Sequence, residues 1–554
     1  MDLLDDEGFT FHHAAVVLKL KGILEKLKYI YGRGQVVITH RPATRRDAPS
    51  LPFTDPPSSH LLIPTFSSHS SSVFSSCGSR VESRSQFLPN GKKRDDEVSD
   101  FDDEFKSDVE EDSEPETLPD DEDNNESELP DDGLRVQGPS HVGRLLVCGA
   151  FNWDLYNRKS VPKGCKNTVA KNIYTPSRFA PLDDKKIRVA VSGCNAAHSV
   201  FITEDFKVYT LGRNERGQLG TGDIETRYTP YFLESIKDHN VVNASCGRNH
   251  TLLLTDRGTV YAMGDNKMGQ CGVGSKNPMI QQPTRLRYRG PPIVKVVCGA
   301  DFSVILDLKG NLHSFGDPEY GQLGHNCNGE FLIAANKLIR QPEKSPKQIT
   351  TYIEKARDNV KQVDKTDFID VACGTNHTVA LDSKRRIFSW GFGGYGRLGH
   401  AETKDEMIPR LVKFFETQGK GVKAVYCGSQ FSIACSDHKM TYLFGKTKNT
   451  GEVNMYPKPL QDLSGWAVRS IGVGTTSVVA AAESSCIAFG GSPTYGALGL
   501  GELRKSSTTP MEIRALEGIY IESVSMGQCH TLFIAKESTP EDTKKIDDLE
   551  LFSP

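Results

Sequence analysis

Four histidines fall at one position of a recurring unit: His198, His250, His377 and His530, each three residues after a Gly or Asn. Imidazoles can ligate a metal or move a proton. Metal sites, however, draw ligands from short or converging spacings, whereas each of these histidines belongs to its own repeat. Phe302 and Phe431 fill the same slot in two further repeats. A position that accepts Phe has no obligatory ligand role, so the pattern favours packing, and no metal or cofactor is expected. Neither a nucleophile elbow nor a P-loop pattern occurs, and the glycines follow repeat turns instead. No residue is assigned a catalytic role and no small-molecule substrate is expected.

The unit carrying the histidines is Cys-Gly-x-x-His/Phe-Ser/Thr, found seven times in strict or looser form. Its Gly or Asn positions are Asn195, Gly247, Gly299, Gly374, Gly428, Gly474 and Gly527, with steps of 52, 52, 75, 54, 46 and 53. An apolar-Gly pair follows 17 residues later at Gly212, Gly264, Gly316, Gly391 and Gly445, and 16 later at Gly490. Between the two markers lie two strand-like runs and a turn, as in Thr251–Leu254, Asp256–Gly258 and Thr259–Ala262, which reads as a hairpin. A turn of the form Gly-x-Asn-x-x-Gly-Gln-Leu-Gly comes next, intact at 212–220 and with substitutions at 264–272, 316–324 and 391–399 (Cys271 for Leu, Pro318 for Asn, Arg397 for Gln). Glycine there is expected to supply positive φ or close backbone approach, and Asn195 is expected to tolerate left-handed geometry in its place. Periods of roughly 40–50 residues suit β-propeller blades. The seventh unit lacks its second half, and Leu146 to Asn152, with Gly149, resembles that missing half at the other end of the chain. The termini are therefore expected to complete one blade together and close a ring without free strand edges.

These repeats are similar to those of the regulator of chromosome condensation family, whose members are seven-bladed propellers. The resemblance covers about residues 143 to 536. Asn152–Leu155, Pro318 to Asn326, Trp390 to His400 and Lys404 to Val412 resemble the family's telophase-disc branch in particular. It implies an all-β, seven-bladed propeller at 141–536, preceded by a mostly disordered tail at 1–140 and followed by a C-terminal tail at 537–554. That branch implies a non-enzymatic mitotic regulator binding small GTPases of Rac, Ral or Arf type. The implied locations are nucleus and cytoplasm, with centromere, spindle or midzone in mitosis, and chromatin or centromere proteins and microtubules as further partners. The founding member is a guanine-nucleotide exchange factor that uses a wedge-like loop in an early blade. No matching insertion follows Gly272, so exchange by that route is in doubt.

The net charge of −4 divides into −14 over residues 1–140 and +10 over the remainder. A mildly basic body suggests acidic partners, protein or nucleic acid. The 13 cysteines are odd in number and follow the repeat, which suggests small buried residues in a reducing compartment. No run of about 18 apolar residues predicts a membrane span. In the tail, residues 14–31 show helical spacing and suit either a partner-binding helix or a marginal one. Residues 95–132 hold 21 acids and one Lys, so disorder is expected. Ser99, Ser107 and Ser113 in that run resemble casein-kinase-two sites; an unmodified solubilising tail is the alternative.

The 75-residue step implies about 23 residues inserted between His325 and Phe368. Gln341 to Lys347 reads as an exposed loop and Tyr352 to Val360 as a short helix. Inserted loops on rigid scaffolds commonly bind partners. Arg340, Lys344, Lys347, Lys355 and Arg357, with Tyr352 as an aromatic anchor, are the candidate contacts for an acidic GTPase surface. A chromatin or nucleic-acid docking module is the alternative reading.

Overall fold

The computed structural model describes residues 135–151, 153, 172–333, 337–356, 359–364, 366–416, 421–447, 453–502 and 504–554. All of them belong to one of the chain's two compact units. The expected helix at 14–31, the acidic run 95–132, the three tail serines and Arg357 lie outside the described residues.

The strands follow the repeat. Val241–Cys246, His250–Thr255, Val260–Asp265 and Met279–Arg285 form one antiparallel four-stranded sheet. The second strand, His-Thr-Leu-Leu-Leu-Thr, is buried along its whole length. Leu252, Leu253 and Leu254 are fully buried, which stabilises the unit by roughly 5–9 kcal/mol at most. Its apolar run suits a strand covered on both faces. The first strand alternates buried and half-buried positions, and outermost strands such as Arg227–Phe232 are largely exposed. Sheets of the same order span Ile293 to Gln348, Phe368 to Leu411, Val422 to Pro459 and Val468 to Glu512. The arrangement is all-β and propeller-like.

A nine-stranded sheet takes in both ends of the repeat region. Gly143–Ala150 pairs along its length with His530–Lys536, placing Gly149 opposite His530. The two half-repeats thus complete one sheet, with Ile521–Met526 on one side and Asn172–Phe179 on the other. A single pair, Gly143 with Ile187, continues it into the first full repeat. His530 Nε2 and Ser199 Oγ, 2.7 Å apart, join last repeat to first. The segment after 536 is not a loose tail. Thr539 caps the helix Pro540–Asp547, Ile546 is buried, and Leu551–Phe552 pairs with Arg178 and Phe179. Arg144, itself nearly buried, donates to Asp183, Glu537 and Asp547 at 2.9, 3.2 and 2.8 Å. At the other boundary the core begins before 141, since Val136 is buried and its N–H donates to Asp256 O.

The two glycine markers do different work. Gly264 lies at φ +114, where an L side chain is strained, and the other apolar-Gly positions, Gly149 among them, share that region. Gly247 is needed for space: a Cβ there would lie 2.1 Å from His250 Cε1. Asn195 is not left-handed, contrary to expectation, and its side chain bonds Thr375, 180 residues along the chain.

Each glycine-rich turn also packs on the outermost strand of the following sheet. Gly222, Gly274, Asn326, Ala401 and Gly501 donate backbone N–H to Gln281, Lys344, Met407, Met455 and Tyr174 carbonyls at 2.9–3.1 Å.

The insertion is built differently from the expectation. Glu343–Gln348 is the outermost strand of the third sheet, with His313 opposite Gln348, and not an exposed loop. The expected helix from Tyr352 is a hairpin of Ile353–Ala356 and Asn359–Gln362. Each strand carries one β-branched residue, Ile353 or Val360, among charged and polar side chains, which a strand at a sheet edge tolerates.

Candidate partner-binding surface

The inserted segment makes two hairpins. The first, Glu330–Ile333 with Lys337–Arg340, pairs with no other strand among the described residues. Gly329 turns the chain into it at φ +72, and Gln341 N–H closes its base on Gly329 O at 2.8 Å. Phe331 and Leu338 are 52% and 55% exposed, and Ile339 is exposed beside them. A lone two-stranded hairpin is marginal in water, and clustered exposed apolar side chains mark interaction surfaces. Arg340 braces the hairpin, reaching Glu319 at 3.2 Å and Glu330 at 3.6 Å.

The second hairpin extends the next sheet, Ile353 meeting Arg410 of the outer strand in a parallel pair. Asn359–Gln362 is exposed along its length, including Val360. Tyr352 is not an exposed anchor. It is buried against Phe368 and Phe388, and its hydroxyl donates to Ile349 O at 2.6 Å. Lys355 pairs with Glu406 at 3.4 Å. Lys347 is exposed and 3.6 Å from Glu343. Lys344 is half-buried, its carbonyl taken by Gly274 N–H. The candidate basic residues therefore sit on three different elements, and most hold local carboxylates. Phe331, Leu338 and Ile339 were not singled out from sequence. Their signal was the apolar runs 331–333 and 338–339 following Gly329.

The inner strands line a central cavity of about 1140 Å³. Its charges are mostly matched. Lys295 pairs with Asp370, Arg385 with Asp437, and Arg469 lies 3.6 Å over the Tyr520 ring. Next to the lining residue Cys194, Asn195 Nδ2 donates to Thr375 Oγ1 at 3.0 Å, and Thr375 Oγ1 is 2.6 Å from Ser429 Oγ. Cys194, Cys246, Cys298, Cys373 and Cys427 line the same space. Burial pushes the Cys194 and Cys298 thiols up to about 12, so they stay protonated and unreactive.

The repeated histidines act as struts between neighbouring sheets. His250 Nε2 is 2.9 Å from Ser303 Oγ, and Ser303 donates its one proton to Gln270 O. The ring must then be the donor to Ser303. His198 bonds Thr251 and His377 bonds Ser432 in the same way. Burial drives the His198, His250 and His530 pKa values down to about 3, which keeps the rings neutral. Among the described residues no group of three or more His, Cys, Asp or Glu is placed to hold a metal. No described helix is long and apolar enough to cross a membrane. What the geometry offers is a braced scaffold with a protruding apolar hairpin.

A family model described as the RCC1-like domain matches residues 144–533. A "Protein RCC2 homolog" of Danio rerio is 47% identical over 425 residues, covering 76% of this chain and 86% of that protein. Protein RCC2 of Homo sapiens is 46% identical, covering 76% and 81%. In shape, the yeast RCC1 (Prp20) bound to Kap60 covers 74% of this chain and 92% of its own at TM-score 0.58 and 21% identity. Prp20p of Saccharomyces cerevisiae, studied for its binding to Gsp1p and histones, gives TM-score 0.57 at 20% identity, covering 74% and 95%. From the repeat, the closed terminal sheet and this identity over most of its length, the chain belongs to the RCC1-like family, with the RCC2 proteins among its relatives.

Proposed function

We propose that this protein is a non-enzymatic regulator of small GTPases acting in mitosis, as the resemblance to the family's telophase-disc branch implies. The supporting observation is the 47% identity to an RCC2 homolog across 86% of that relative. In this reading the seven repeats form seven blades, the nine-stranded sheet counting as two. The hairpin 330–340 is the contact element, presenting Phe331, Leu338 and Ile339, with Arg340, Lys344 and Lys347 facing an acidic switch surface. Partners are GTPases of Rac, Ral or Arf type, at the centromere, spindle or midzone, in nucleus and cytoplasm. A wedge-like hairpin after Gly324 in place of one after Gly272 favours binding over exchange by the founding member's route.

Chromatin docking is the second reading, favoured by the +10 charge of residues 141–554 and by the histone binding of Prp20p. Pull-down against Rac, Ral and Arf proteins, nucleotide-free and loaded, tests the first. Phe331→Ser with Leu338→Ser should lower capture at least tenfold, about 1.4 kcal/mol, with the melting midpoint held. Capture of none of the three, or equal capture by the folded double variant, would remove the GTPase assignment from this hairpin. DNA affinity falling steeply and linearly in log salt would support the second reading.

A further inference from the structure

The turn between the second and third strands carries a basic residue in four consecutive repeats. Thr255, Asp307, Asp382 and Ser436 open these turns, each donating its N–H to the carbonyl of Thr259, Asn311, Arg386 or Met440 at 2.8–3.0 Å. All four turns therefore lie at the same end of their sheets, whose inner strands pack side by side. They hold Arg257, Lys309, Lys384 and Lys439, where the first and sixth repeats have Glu204, Asp205 and Glu483. The three lysines are exposed and make no ion pair among the described residues. The acids of these turns are committed. Asp307 and Asp382 are buried and accept from the Lys309 and Lys384 N–H groups, and Asp437 holds Arg385 at 2.9 Å. Outside the described residues these repeats add Arg357, Lys365 and Lys420 against Asp358, so the basic sign does not rest on them. The chain enters at the start of this arc: Arg135 pairs with Asp256 at 3.8 Å, and buried Val136 donates its N–H to Asp256 O at 2.7 Å. Just before it, residues 112–132 hold 11 acids and no Lys, Arg or His.

We propose that residues 112–132 lie back along the arc of Arg257, Lys309, Lys384 and Lys439 as an acidic cover, which an acidic partner must displace. Length allows it: 21 extended residues reach about 70 Å, and four sheets packed about 10 Å apart span roughly 30 Å. The carboxylates meet the lysines in solvated, salt-screened pairs that add little to stability. The cover acts on access to the face and leaves the melting midpoint in place. Each third strand runs from this turn toward a glycine-rich one, so the arc stands at the far end of the strands from the hairpin 330–340. The proposal is independent of the GTPase reading.

Carbodiimide coupling of the full chain at low salt, followed by digestion of the isolated monomer, should join carboxylates of 112–132 to Lys309, Lys384 or Lys439. About 0.5 M salt should suppress the coupling. Coupling only between chains, or spread evenly over lysines elsewhere, would overturn the contact. A fluorescein-labelled peptide copying residues 112–132 then measures access to the arc by anisotropy. The chain's own segment competes at an effective concentration on the order of 1 mM, against a peptide Kd of about 0.1 mM. A full chain with the 11 acids changed to Asn or Gln should therefore bind the peptide about tenfold more tightly than wild type. Adding Lys309→Glu, Lys384→Glu and Lys439→Glu to that chain should return binding to the wild-type level or below, with the melting midpoint unchanged. The proposal fails if wild type and the neutralised chain bind the peptide equally, or if tight binding survives the three lysine changes.

Discussion

Replacing His250 with Phe should make the protein less sensitive to acid, at a small cost near neutrality. The His250 ring is fully buried, donates from Nε2 to Ser303, and has no partner for Nδ1. Protonating Nδ1 would bury both a charge and an unpaired N–H, and burial holds the pKa near 3. In the unfolded chain the same imidazole takes up a proton near pH 6.5. Between pH 6.5 and 3 the unfolded state therefore binds a proton that the folded state refuses. Stability from this group is fully present above 6.5 and is lost as pH falls through that window. At pH 5 the loss is about 2 kcal/mol, from about 1.4 kcal/mol per pH unit over roughly 1.5 units. Phe carries no such proton. Phe302 and Phe431 occupy the slot in other repeats, fully buried, so the ring fits. The variant loses one hydrogen bond, about 1 kcal/mol, while Ser303 keeps its bond to Gln270 O. The wild-type and variant stabilities should cross at about pH 6, with Phe the more stable below. Urea denaturation at pH 7, 6 and 5 measures this. Parallel pH profiles would refute the claim that the buried ring stays neutral.

Three further outcomes are expected. Arg144→Met should lower stability by about 2–3 kcal/mol at pH 7, discounted from the ~3–5 of a fully buried pair because Asp547 is 48% exposed. Burial alone would raise the Glu537 pKa, but Lys186 and Arg144 hold it below the usual value. The difference between wild type and variant should therefore shrink as pH falls through the carboxylate range, which melting at pH 7 and 4 would reveal. Gly247→Ala should cost more than Gly421→Ala by about 1–3 kcal/mol in urea denaturation, since the first Cβ meets His250 at 2.1 Å and the second meets nothing nearer than 3.5 Å. Removing residues 1–134 should leave the melting midpoint within about a degree, whereas removing 1–141 takes out buried Val136 and should lower it measurably.

Much of this protein could be read along the chain, because a repeat states its own register. The 17-residue spacing from Gly247 to Gly264 encloses one hairpin, and the half-repeats at Gly149 and Gly527 identify strands that need each other. The exchange of His250 for Phe302 in one slot already implied packing. Local pattern says which face a strand buries; it does not say which distant segment covers it. Glu343–Gln348, with its Lys, Pro and Glu, reads as a loop and becomes a strand because Leu312–Gly316 offers it an unpaired edge. Tyr352 reads as an exposed anchor and is buried because Phe368 and Phe388, far along the chain, close over it. The end of the chain gains its helix and strand from the carboxylates that Arg144 gathers and from the Phe179 edge. Asn195 carried a local expectation of left-handed backbone, but its side chain answers to Thr375, 180 residues away.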